Sequence, residues 1–134
     1  MKAYTDIEQS KKLAEILPLE SADMCYIKHA SSDNLTWRFD DELPPMVLSR
    51  TPIGKIKAEI LPCWSLAALF DLIPSKIYDD SNSMYLQINK EDNGYQLAYT
   101  DPYGDFGNTE TDKYDNFVDA CYDMILKLYE LKLI

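Results

Sequence analysis

"SMYLQINKEDNGYQLAYTD", residues 83–101, decides how the fold is read. Met84, Leu86 and Ile88 alternate with Tyr85, Gln87 and Asn89. After a polar stretch, Tyr95, Leu97 and Tyr99 alternate with Gln96, Ala98 and Thr100. Successive side chains of a strand point to opposite faces, so each run has one face to bury and one to leave in water. Asn93-Gly94 between the runs is a strong hairpin-turn signal. The stretch predicts an antiparallel hairpin over 83–100, and its buried face calls for a covering helix.

That helix is expected directly downstream. "PYGDFGNTETD" (102–112) holds a third strand near 105–111 or, with its two glycines, a long turn. The chain then closes on "NFVDACYDMILKLYELKLI" (116–134), read as a helix over 115–133. At 100° per residue, Phe117, Cys121, Met124, Leu128 and Leu131 form one apolar stripe. Tyr122, Leu126, Tyr129 and Leu133 form a second, with Val118 and Ile125 between them. Asp119, Asp123, Lys127 and Glu130 occupy the remaining arc. The chain's own sheet accounts for one stripe, and a second copy of the chain is the expected partner for the other.

Upstream lies "PCWSLAALFDLIP" (62–74), with a proline at each end. Ser65 is a good N-cap for a helix over 65–73, and Pro74 stops it. Asp71 is its only charge, so the helix is expected to be buried on most sides. At the start of the chain, "TDIEQSKKLAEILP" reads as an amphipathic helix over 6–17, with Thr5 and Glu8 at capping-box spacing. "MCYIKHASSDNLTWRF" reads as a second hairpin over 24–39, with "ASSDN" as its loop. Residues 46–60 carry one or two short strands broken at Pro52 and Gly54. The sum is an α+β fold in a single domain spanning 1–134, a small antiparallel sheet packed by these helices.

The 134 residues are 46% hydrophobic and 27% charged, within the range of a globular protein and not of a disordered one. The formal charge is −10, and the 13 basic residues are scattered, so nucleic-acid binding is not expected. No apolar run approaches the roughly 20 residues that cross a bilayer. "MKAYTDIEQSKKL" has no apolar core of a secretory signal, so a cytoplasmic location is expected.

Cysteine chemistry is sparse. Cys25, Cys63 and Cys121 are far apart in the sequence, and His29 is the only histidine, so neither a metal site nor a cofactor is expected. Cys63 precedes a helix start, where a thiol can be activated, but it lies two residues outside the cap and nothing places His29 beside it. The acidic loop 101–115 departs from the calcium-loop pattern in its glycines and its closing position. Ten tyrosines are the remaining feature, seven of them from Tyr85 to Tyr129. Tyr85, Tyr95, Tyr99, Tyr122 and Tyr129 are the candidates for a binding surface, since tyrosine offers contact area at low entropic cost.

"PCWSLAALFDLIP", the Asn-Gly hairpin and the closing "NFVDACYDMILKLYELKLI" together resemble small proteins of phages and mobile elements of gut bacteria. The resemblance covers about residues 60–134 and lies in a Trp-Ser-Leu helix, a hairpin, and a last helix beginning "VDACYDMI". It implies a shared fold and carries over no catalytic residue. The expected function is a non-catalytic protein–protein interaction module, with dimerisation through helix 115–133. Two other readings stand beside it: a small thiol-dependent enzyme using Cys63, and an acidic inhibitor that mimics nucleic acid.

Overall fold

A computed structural model describes residues 2–29, 37–44, 58–79 and 81–134. The chain forms two compact units, one of residues 4–68 and one of residues 69–134 joined by Lys2 and Ala3. Among the described residues there are three α-helices and two antiparallel sheets, an α+β fold.

In the first unit, helix α1 spans Ile7–Ala14 and strands β1, β2 and β3 span Met24–His29, Arg38–Asp40 and Ala58–Cys63. The sheet order is β2-β1-β3. The expected 24–39 hairpin is present as β1 against β2, with Tyr26 opposite Phe39. Its "ASSDN" loop and the Pro52–Gly54 break lie outside the described residues. Strand β3 runs through Pro62 to Cys63. A proline is tolerated there because β3 is an edge strand of this sheet.

Helix α1 is shorter than the expected 6–17 and is capped one residue later than Thr5. The Asp6 carboxylate accepts from Gln9 N at 2.8 Å, and the Gln9 side chain accepts from Asp6 N at 3.1 Å. Thr5 is unavailable as a cap because its hydroxyl is committed inward. It accepts from Trp64 N at 3.1 Å and shares a hydrogen bond with Ser10 Oγ at 2.8 Å. Leu13, Cys25, Cys63 and Trp64 are fully buried, and Trp64 Nε1 donates to Ser21 Oγ at 2.9 Å.

Helix α2 spans Leu66–Leu72. Ser65 caps it as expected, its Oγ accepting from Ala68 N at 3.1 Å while Asp23 holds Ser65 itself. The expectation that the helix is buried on most sides is not met. Only Leu69 is fully buried within it, whereas Ala67, Phe70 and Asp71 are exposed. Two turns of helix set one row of side chains inward, whatever the composition of the other rows.

The second unit carries the meander β4-β5-β6-β7, made of Lys76–Asp79, Asn82–Glu91, Gly94–Thr100 and Phe106–Glu110. The expected 83–100 hairpin is β5 and β6. Its turn is shifted by one residue, since Glu91 pairs with Gly94 and leaves Asp92-Asn93 as the loop. Neither loop residue has a positive φ, and Gly94 takes it instead, at +136°. The third strand near 105–111 forms as β7, while β4 went unforeseen.

Helix α3 spans Phe117–Glu130, with Asn116 Oδ1 accepting from Asp119 N at 2.9 Å. Lys2 Nζ donates to Asp119 Oδ1 at 2.7 Å. The helix packs on β6 and β7. Its buried face is Val118, Ala120, Cys121, Met124, Ile125 and Leu128. Leu131, assigned above to the buried stripe, follows the last helical turn and is 55% exposed.

Candidate functional site

The second unit's sheet is buried on the side that meets α3, where Tyr95 and Phe117 rings lie 5.5 Å apart. Tyr85, Gln87 and Asn89 alternate away from Met84 and Leu86, so they share the other face. Beside them on β4, Lys76 and Tyr78 are exposed while Ile77 is buried. The Lys76 ammonium stands 5.1 Å from the Tyr78 ring centroid and 5.7 Å from that of Tyr85. Both tyrosine faces are thus already presented to a cation.

The turn after β6 stands above this sheet and is held by one carboxylate. Asp101 Oδ1 accepts from Tyr103 N at 2.9 Å and from Asp105 N at 3.0 Å, and Asp101 N donates to Asp105 O at 2.9 Å. Gly104 closes the turn at φ +84°. A cleft of about 580 Å³ lies on one side of it, lined by Asp79, Ser81, Asn82, Ser83, Asp101, Tyr103 and Asp105. Gly107 also lines it, and a methyl group there would stand 2.5 Å from Met84 Cε, so the bare glycine leaves room for that side chain. A second cleft, of about 430 Å³, shares Asp101 and Pro102 and is lined by Tyr85, Gln87, Asn89, Thr100 and Gly104. No lysine or arginine among the described residues lines either cleft. Among the described residues, no three His, Cys, Asp or Glu side chains are arranged to hold a metal ion.

The sequence candidates fall in different places. Tyr85 is 40% exposed and borders the second cleft. Tyr99 is fully buried and donates to Pro74 O at 2.6 Å, so it belongs to the core. Tyr95 is half-buried against Phe117, and Tyr122 is half-buried on α3, where Tyr129 is 45% exposed. Tyr78 and Tyr103, at 63% and 92% the most exposed aromatic side chains among the described residues, are not among the sequence candidates. Tyr103 sits in the acidic loop already noted, and its position beside two aspartates was the available signal.

Cys63 is fully buried. Its thiol donates to Thr5 O at 3.4 Å and accepts from Thr5 Oγ1 at 3.6 Å. Met24 faces Cys63 and His29 faces Ala58, so His29 and Cys63 lie at opposite ends of the β1–β3 ladder, about 17 Å apart along it. Burial pushes the Cys63 thiol upward, against hydrogen bonds from Thr5, Ser10 and Tyr26 that lower it. Burial likewise pushes Cys121 up to about 12 and raises Tyr26 and Tyr99.

These shifts set the response to alkali. A raised folded-state pKa means that the folded chain keeps its proton after the unfolded chain has lost it. Stability is full below the ordinary thiol value of 9.0 and falls as pH rises above it. Each thiol approaches a slope of about 1.4 kcal/mol per pH unit, with the tyrosines joining above about pH 10. Urea unfolding from neutrality upward will show this decline, and Cys121→Ala will flatten it. A flat profile in the native sequence would refute the assignment.

No protein-family model, curated protein or solved structure matches the chain.

Proposed function

We propose that the chain is a non-catalytic binding module that takes a basic segment of another protein in the larger cleft. The observation that carries this reading is the joint lining of that cleft by Asp79, Asp101, Asp105 and Tyr103. Three carboxylates, with no cation among the described lining residues, favour an ammonium or guanidinium guest, and an exposed tyrosine adds an aromatic face for it. The net charge of −10 steers a basic partner toward the chain and repels acidic ones.

Isothermal titration with an arginine- and lysine-rich peptide, against a glutamate-rich control, tests the proposal. The basic peptide is expected to bind at low salt and weaken steeply as salt is added. Asp101→Asn replaces the carboxylate oxygen that holds the turn with an amide oxygen that also accepts, and so removes the charge, and Asp105→Asn removes a second charge. At up to about 1 kcal/mol for each partly solvated pair, the double substitution weakens binding by up to about thirtyfold. Equal affinity in the native chain and the double variant would sink the reading, as would binding indifferent to salt.

A further inference from the structure

We propose that the smaller cleft binds a neutral oligosaccharide. Among the described residues that line it is one carboxylate, Asp101, and no basic residue. The neighbouring Lys76 ammonium is already engaged over the Tyr78 and Tyr85 rings, so the cleft offers no metal-ligand set and no cluster of cations for phosphate. Its side chains are chiefly amide, hydroxyl and tyrosine, which gives little reason for a purely apolar guest to enter. A polyhydroxylated ring suits these groups. Its C–H face packs on an aromatic side chain, and its vicinal hydroxyls need partners that both donate and accept, as Asn and Gln amides do.

The geometry matches this division of labour. Tyr85, Gln87 and Asn89 occupy alternate positions of β5, so they form one row along one face, spaced about 7 Å apart. Opposite Gln87 the partner residue is Ala98, which is fully buried, so the Gln87 amide is the polar group presented at this step of the row. Thr100 lies opposite Tyr85, and the Pro102–Gly104 turn raises a wall at that end of the row. The volume, about 430 Å³, is within the usual range of small-ligand sites. The row is therefore long enough for more than one sugar ring, with the face of Tyr85 that Lys76 does not cover as the stacking platform and the two amides reading hydroxyls.

Amide-resolved NMR titrations of the intact chain with maltose, lactose and chitobiose test this directly. At least one is expected to give saturable shifts confined to the Tyr85–Asn89 stretch and the Gly104 turn. Tyr85→Ala is expected to weaken that binding about tenfold, the worth of one stacked ring. Gln87→Leu preserves the strand's bulk and serves as an independent variant with loss of the same order. Binding of the basic peptide should survive both substitutions, because neither residue lines the larger cleft. The proposal is overturned if none of the three sugars saturates, or if both variants bind as the native chain does. It is also overturned if arginine amide, and no sugar, saturates the same resonances.

Discussion

Gly94→Ala will lower the stability of the chain by about 3 kcal/mol, a large share of what a domain of this size has. Gly94 sits at φ +136°, where a Cβ is strained whatever surrounds it. Here the surroundings are also closed. A Cβ would stand 2.2 Å from Tyr114 O and 2.8 Å from Tyr114 C, both backbone atoms that cannot swing aside. Tyr114 is held there by Tyr95, through N–H···O bonds of 2.6 and 2.9 Å in the two directions. Moving it breaks that pair and shifts Asp115 and Asn116, the residues that lead into and cap α3. The loss adds about 1–2 kcal/mol of left-handed strain to two backbone hydrogen bonds of about 1 kcal/mol each. Gly104→Ala is the matched control: its φ is also positive, at +84°, but nothing lies within 4 Å of the added methyl. It should cost only the strain. Urea unfolding of the two variants side by side decides the matter, and equal losses would show that the Tyr114 contact is irrelevant.

The same glycine shows how far the fold could be read from the residues. The alternation over 83–100 is legible because the two strands pair in register, with Met84, Leu97 and Tyr99 on a buried face and Tyr85 and Gln87 on the other. That Gly94 begins the strand instead of sitting in the loop depends on Tyr114, twenty residues away, which no local pattern reports. Thr5 and Asp6 are both good caps by type. Asp6 takes the role because Trp64 and Ser10 claim the Thr5 hydroxyl. Strand β4 escaped notice because it is four residues long with a single buried side chain, Ile77. In α2 the apolar composition was visible, while the direction in which its two turns face was not.

Less of the candidate site was legible. The acidic residues around 101–105 and the surplus of tyrosines stand out in the chain, but their chemistry depends on neighbours. Asp101 is the residue that builds the turn, and it does so with hydrogen bonds to residues two and four positions on. That local pattern is readable in principle. The approach of Asp79 to the same cleft comes from the pairing of β4 with β5 and could not be read. Tyr85 and Tyr99 look alike in the sequence, each in a strand with alternating neighbours. Their fates differ because odd positions on β5 and odd positions on β6 face opposite ways in the paired register, Tyr85 standing opposite Thr100.

Thr5→Val will cost the first unit about 3 kcal/mol, although it changes one hydroxyl for a methyl of nearly the same size. The Thr5 Oγ1 is the meeting point of three buried groups: Trp64 N at 3.1 Å, Ser10 Oγ at 2.8 Å and Cys63 Sγ at 3.6 Å. Valine leaves the buried Trp64 N–H with no acceptor and takes from Ser10 its hydroxyl partner, leaving Ser10 the weaker Cys63 thiol. Each orphaned group costs about 1–3 kcal/mol, more than the bond itself contributes. The backbone of Thr5 remains tied on both sides, its N–H to Trp64 O at 2.9 Å and its carbonyl to Tyr26 Oη at 2.8 Å. Loss of the hydroxyl therefore loosens a latch without detaching it. Thr5→Ser is the discriminating variant, because it keeps the hydroxyl and removes only the methyl, for a loss of about 1 kcal/mol. Cys63 supplies a second readout, since its thiol is fully buried beneath this latch. Alkylation of Cys63 under native conditions should be slow in the native chain and in Thr5→Ser, and faster by about a hundredfold in Thr5→Val, in step with the stability lost. If serine costs as much as valine, or labelling does not separate the two, the hydroxyl is not the hub and packing of the threonine methyl holds β3 to the chain's N-terminal segment instead.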